Sequence, residues 1–114
     1  MKPIAVFTTV ATRADAQALA RSLVERRLAA CAQISEIESW YRWEGELRHE
    51  PEFRVLFKTT ETLYPDVEAA IRALHRYELP AIHSLAMASV HEPYAQWIAQ
   101  NTRGSGNDGG GAPR

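Results

Sequence analysis

Residues 31–60 read CAQISEIESWYRWEGELRHEPEFRVLFKTT, and this stretch decides the fold. Two β-rich runs, 31–43 and 46–60, flank Glu44-Gly45, a dipeptide suited to a tight hairpin turn. The first run changes its apolar phase between Ile34 and Ile37, which predicts a bulge or bend near Ser35-Glu36. Pro51 cannot donate to a ladder, so it belongs at an edge or a break of the return strand. The hairpin carries Trp40, Tyr41 and Trp43, more aromatic surface than an isolated ribbon displays to water.

Working outward, residues 4–10 are β-rich and follow Pro3, giving a first strand. Thr12 and Asp15 resemble a capping box with Asp in the usual Glu or Gln position. Ala16, Leu19, Ala20, Leu23 and Val24 then form one apolar face of a helix that runs to about Ala29 or Ala30. Beyond the hairpin a second helix begins around Pro65, with Val67, Ala70, Ile71 and Leu74 as its buried stripe. Residues 81–88 form a fourth strand after Pro80, and Pro93 opens a short helix in which Tyr94, Trp97 and Ile98 share a face. From Thr102 onward the chain is rich in Gly, Ser and Asn and reads as a disordered tail. The order is β-α-β-β-α-β plus a C-terminal helix. This is an α+β, ferredoxin-like arrangement with both main helices on one face of an antiparallel sheet. The expected layout is one domain over 1–101 and a tail over 102–114.

That arrangement leaves the second sheet face without cover, yet its positions are not uniformly polar. Strand one has Ile4 and Val6 on one side but Ala5 and Phe7 on the other. Leu56, between Arg54 and Lys58, lies opposite Phe53, Val55 and Phe57, while Leu85 and Met87 lie opposite Ile82 and Ala86. A homo-oligomer that packs these faces together accounts for both the apolar face and the aromatic hairpin. Coverage by the C-terminal helix alone is the competing explanation.

Composition narrows the role. The 114 residues hold 13 basic and 14 acidic side chains, with a net charge of −1 and no basic block. Binding of nucleic acid by bulk electrostatics is therefore not expected. No apolar run approaches the roughly 20 residues that span a bilayer, and the first residues lack a signal-peptide pattern. A lone cysteine, Cys31, fits a reducing compartment, so the expectation is a cytoplasmic protein without a membrane partner.

Few residues suggest chemistry. Cys31, in apolar company after Leu28-Ala29-Ala30, reads first as a small buried hydrophobe rather than a nucleophile or ligand. The densest polar cluster is His75-Arg76-Tyr77-Glu78 before Leu79-Pro80, where a helix gives way to a strand. His75 has an ordinary reason to end a helix, since its cation complements the dipole, and Glu78 reads equally as an exposed turn residue. Lys58 is either an anion contact or a solvated strand lysine, and Thr8-Thr9 is a similarly weak candidate. There is no Cys-x-x-Cys or His-x-x-x-His pair, no phosphate-binding glycine loop and no nucleophile elbow. A metal site would have to be assembled across the fold or between subunits. Enzyme chemistry has no support, and no organic cofactor is implied.

Taken in order, Thr8-Thr9, ERRLAAC at 25–31, SWYRWEGEL at 39–47, VLFKTT at 55–60, LHRYELP at 74–80 and YAQWI at 94–98 resemble the CutA family, proteins associated with divalent-cation tolerance. The resemblance spans about residues 4–100. It implies a ferredoxin-like subunit in a tight homotrimer, similar in architecture to the trimeric PII signalling proteins. It further implies clefts between subunits lined by Cys31, Trp43, Glu44, Lys58, His75, Tyr77, Glu78 and Trp97. Copper(II) or another divalent cation is the implied metal, with His75 as its matching imidazole. Three positions depart from that pattern: Arg76 stands for a proline, Leu74 for a second histidine and Thr8 for a thiol. The expected role is a trimeric binding or signalling protein that takes a metal ion or small ligand at those clefts. The alternatives are a structural or adaptor trimer, or an acylphosphatase-like hydrolase using Arg13.

Overall fold

A computed structural model of the chain describes residues 2–104. Four strands, β1 (Pro3–Val10), β2 (Cys31–Trp43), β3 (Glu46–Thr60) and β4 (Ile82–Ala86), form one antiparallel sheet in the order β2-β3-β1-β4. Helices α1 (Arg13–Glu25) and α2 (Tyr64–Leu74) cover one face, and α3 (Glu92–Gln100) closes the chain. A single 3-10 turn, Glu61–Leu63, joins β3 to α2 and has no forerunner in the sequence pattern. The ferredoxin-like expectation holds in element order and strand order alike.

The helix-covered face is the core. Val6, Phe57 and Val55 of the central strands are fully buried against Leu19 and Leu23 of α1 and Val67 and Ile71 of α2. At the head of α1, Thr12 Oγ1 accepts from the Asp15 N–H at 3.0 Å, as the capping pattern predicted. Asp15 does not complete the box; its carboxylate pairs with Arg76 Nε at 3.3 Å instead.

α1 stops at Glu25, short of the expected Ala29 or Ala30. Arg27 adopts φ 60°, and the N–H groups of Arg27 and Leu28 bond back to the carbonyls of Val24 and Leu23 at 3.0 and 2.9 Å. This is a Schellman stop, usually made by glycine. Here the Arg27 guanidinium bonds the carbonyls of Gln100 and Thr102 at 3.1 and 3.4 Å, so a left-handed arginine ties α1 to the end of α3. Thr102 is 5% exposed and its Oγ1 bonds the Ile98 carbonyl at 3.0 Å, while Arg103 N–H bonds the Arg27 carbonyl. Thr102 and Arg103, the first residues of the expected tail, thus make contacts with the body, and residues 105–114 of that tail lie outside the described residues.

The β2-β3 ladder is continuous from Cys31↔Lys58 to Trp43↔Glu46, without the expected bulge. Side-chain environment, not backbone, changes phase. Ala32 and Ile34 pack toward the helices, whereas Ile37, Ser39, Tyr41 and Trp43 are half-buried on the opposite face. The switch occurs where the hairpin leaves the body. β1 pairs only with 53–60 of β3, so residues 46–52, Pro51 among them, have β2 as their one neighbouring strand among the described residues. This overhang of about 23 Å at 3.3 Å per residue makes the molecule long, 48 × 28 × 20 Å.

At its tip Glu44 and Gly45 have φ 51° and 78°, the positive pair that a two-residue hairpin turn demands. Glutamate is poorly suited to that region, so Glu44→Asn should stabilise the protein by about 0.5–1 kcal/mol. A higher thermal midpoint at fixed protein concentration checks this, and an unchanged or lower one refutes it. In the core, Thr8 Oγ1 is buried with no hydrogen-bond partner. Thr8→Val removes an unsatisfied hydroxyl at nearly constant shape and should raise the denaturant midpoint by about 1 kcal/mol equivalent. Destabilisation of that variant would mean that the hydroxyl has a partner.

Leu74, expected in the buried stripe of α2, is 48% exposed. It is the last helical residue, where the chain turns away from the core toward the other side of the sheet.

Candidate functional site

The sheet face opposite α1 and α2 collects most of the residues singled out above. Register sets Cys31, Lys58, Ala5 and Leu85 in one row and Gln33, Leu56, Phe7 and His83 in the next. Phe7 and His83 stack at 5.1 Å, and Leu85 is 58% exposed. α3 lies on this side, because Tyr94 meets Lys58, whose ammonium stands 5.3 Å from the ring centroid. Interaction with the Tyr94 hydroxyl holds the Lys58 ammonium above its ordinary pKa. Trp97 stacks on Tyr94 at 5.7 Å and is 41% exposed. The C-terminal helix therefore covers part of the second face and leaves Phe7, Leu56, His83 and Leu85 outside the core.

A second group forms at the base of the overhanging hairpin. His75 caps the end of α2 and points both ring nitrogens at backbone: Nε2 donates to the Thr9 carbonyl at 2.8 Å, and Nδ1 accepts the Tyr77 N–H at 3.2 Å. That pairing assigns a neutral imidazole with its proton on Nε2. It also holds the loop so that the Tyr77 hydroxyl donates to Glu52 at 2.6 Å. Burial, then the Glu52 hydrogen bond, pushes the Tyr77 phenol well above its ordinary value of 10.0. Nearby, Tyr41 donates to Glu50 at 2.6 Å. Thr9, Ile37, Tyr41, Trp43, Glu52, Arg54, Tyr77 and Leu79 contribute to the wall of a cavity of about 510 Å³.

The raised Tyr77 pKa has a consequence at alkaline pH. The folded phenol keeps its proton where the unfolded one loses it, so its stabilisation is complete below pH 10 and fades as pH rises further. The stability gap between wild type and Tyr77→Phe should narrow above pH 10. Denaturant midpoints at pH 8 to 11 check it, and a gap that stays constant would refute the coupling.

The eight residues implied by the family resemblance thus do not form one site within a chain. Cys31, Lys58 and Trp97 gather beside α3 and His75 and Tyr77 stand at the hairpin base, while Trp43 lies next to the turn, six residues along β2 from Ile37. Lys58 and Glu52 are six residues apart on one strand, about 20 Å. Glu44 sits in the turn, 4.0 Å from Arg48, and Glu78 is exposed in the α2-β4 loop. Arg13, the residue a hydrolase reading requires, lies over the Phe53 ring at 4.9 Å and 3.9 Å from Glu36.

A divalent cation does not fit the residues that one chain brings together. Both His75 nitrogens are occupied, and among the described residues no three His, Cys, Asp or Glu side chains converge. Glu52 and Arg54 escaped the sequence reading. The hairpin register could have found them, because a turn at Glu44-Gly45 places Glu52 opposite Ile37 and on the Lys58 face.

No helix among the described residues is long and apolar enough to cross a membrane. The family model described as CutA1 divalent ion tolerance protein matches residues 4–101. The divalent-cation tolerance protein CutA of Thermus thermophilus is 39% identical over 98 residues, covering 85% of this chain and 95% of its own. Protein CutA of Homo sapiens is 35% identical over 86% of this chain and 55% of its own length. Among solved structures, CutA1 from Oryza sativa superposes with a TM-score of 0.88 at 32% identity, covering 92% of this chain and 97% of that one. The periplasmic divalent cation tolerance protein CutA from Archaeoglobus fulgidus gives 0.85 at 27% identity, covering 87% and 97%.

Proposed function

The chain belongs to the CutA1 divalent ion tolerance family, and from that premise we propose that it acts as a non-enzymatic, cytoplasmic homotrimer whose clefts between subunits bind a small ligand or metal ion in a PII-like signalling role. One observation carries this reading. The residues implied as a common cleft are split between two groups about 20 Å apart on a sheet face that α3 only partly covers. Packing that face against a second copy would let the Cys31-Lys58-Trp97 group of one subunit meet the hairpin of another, which carries Trp43 near its turn and His75 and Tyr77 at its base. It also removes Phe7, Leu56 and Leu85 from water and gives the overhanging hairpin a neighbour.

On this reading copper(II), or another divalent cation, draws its ligands from two subunits, because the described residues of one chain gather no set of three. A structural or adaptor trimer without a small ligand is the second reading, favoured by the full occupation of the His75 ring.

Native mass spectrometry of metal-stripped protein, titrated with copper(II), separates these readings. The expected result is the mass of three chains with saturable uptake. An empty trimer would favour the adaptor, and a single-chain mass would overturn the cleft altogether.

A further inference from the structure

Glu52 is 7% exposed, and among the described residues the one side-chain hydrogen bond its carboxylate receives comes from the neutral Tyr77 phenol. Among the described residues, no lysine, arginine or histidine forms an ion pair with it. A buried carboxylate without a counter-ion is costly, and one neutral donor offsets only part of that cost. Glu52 does not sit in closed packing; it lines the cavity of about 510 Å³, walled by Tyr41, Trp43, Tyr77 and Leu79. The volume is that of a small-molecule site, and the negative ring faces of tyrosine and tryptophan attract cations. Arg54 lines the same cavity but is itself exposed and makes no ion pair with Glu52. Both the uncompensated anion and the aromatic wall call for the same chemistry.

We propose that the open cavity along the hairpin receives a guanidinium or ammonium group, seated on Glu52 and flanked by Tyr41, Trp43 and Tyr77. The proposal rests on the cleft reading above and deepens it by giving the ligand's charge class. The cation comes either from a free organic amine or guanidine, or from a lysine or arginine of a second copy.

The test titrates the full chain with methylguanidinium chloride against sodium chloride of equal ionic strength, following tryptophan fluorescence. Assembled mass is recorded in parallel. Glu52→Gln keeps an acceptor for Tyr77 and removes the charge; Glu46→Gln, near the hairpin turn, is the control. A saturable change weakened at least tenfold in Glu52→Gln and unchanged in Glu46→Gln establishes a free cation. An unresponsive wild type whose Glu52→Gln variant loses assembled mass establishes a second copy as the source. No response together with unaltered assembly in Glu52→Gln overturns the proposal, as does a response that Glu52→Gln leaves intact. Saturation by copper(II) alone, dependent on Glu52, also overturns it in favour of a metal. A single-chain wild type that still binds methylguanidinium through Glu52 would remove the trimer and keep the cation site, so the two failures are distinguishable.

Discussion

Leu56→Glu should reduce the assembly to single chains of 12.8 kDa while leaving their secondary structure unchanged. Leu56 lies in a central strand, on the side away from α1 and α2, in a row with Gln33, Phe7 and His83. In an isolated chain its side chain is only half-buried, so a carboxylate there can meet water and the core is untouched. In the proposed trimer the same carboxylate is desolvated once per subunit without a partner, at several kcal/mol each. Each 1.4 kcal/mol is about tenfold in a dissociation constant, so the assembly weakens by orders of magnitude. Sedimentation and far-UV circular dichroism give the two readouts. Unchanged mass would place the subunit contacts elsewhere, and lost ellipticity would mean that the residue serves the fold.

His75→Ala should lower folding stability by roughly 2–3 kcal/mol, because two backbone groups lose their partner together. The Thr9 carbonyl and the Tyr77 N–H both depend on the imidazole, whose ring also packs 4.9 Å from that of Tyr77. Releasing the loop frees Tyr77 from Glu52 as well, so the cavity along the hairpin should widen in the same variant. His75→Asn should recover part of the loss, since its amide can accept from Tyr77 N–H but is too short to reach Thr9. Chemical denaturation of the metal-stripped protein measures this. If His75 is instead chiefly a metal ligand, the metal-free variants will be as stable as wild type and only copper uptake will fall.

Much of this molecule was legible in its residues. Hydrophobic period gave the four strands and three α-helices, though not the short 3-10 turn, and Glu44-Gly45 gave the hairpin turn, because these depend on side-chain spacing and on one backbone region that few residues tolerate. Thr12 marked the start of α1 for an equally local reason. The end of α1 was not legible: a left-handed arginine is unfavourable in isolation and is held by carbonyls 73 and 75 residues away. The absent bulge has a related cause. Ile34 and Ile37 sit in an unbroken ladder, and only the end of the sheet's body at residue 53 of β3 decides which face of the ribbon is sheltered.

The candidate site divides along the same line. By itself the sequence determined the ferredoxin-like order, the apolar residues on the second sheet face and the polar cluster His75-Arg76-Tyr77-Glu78, all of which follow from patterns within about ten residues. Tertiary structure alone decided that His75 spends both ring nitrogens on backbone, that Tyr77 finds Glu52, and that Cys31 and Trp43 belong to different groups. Those facts depend on which distant segments share a row of the sheet. A hydrogen bond 2.6–2.8 Å long between residues 25 or 66 positions apart leaves no periodic trace in the chain that makes it.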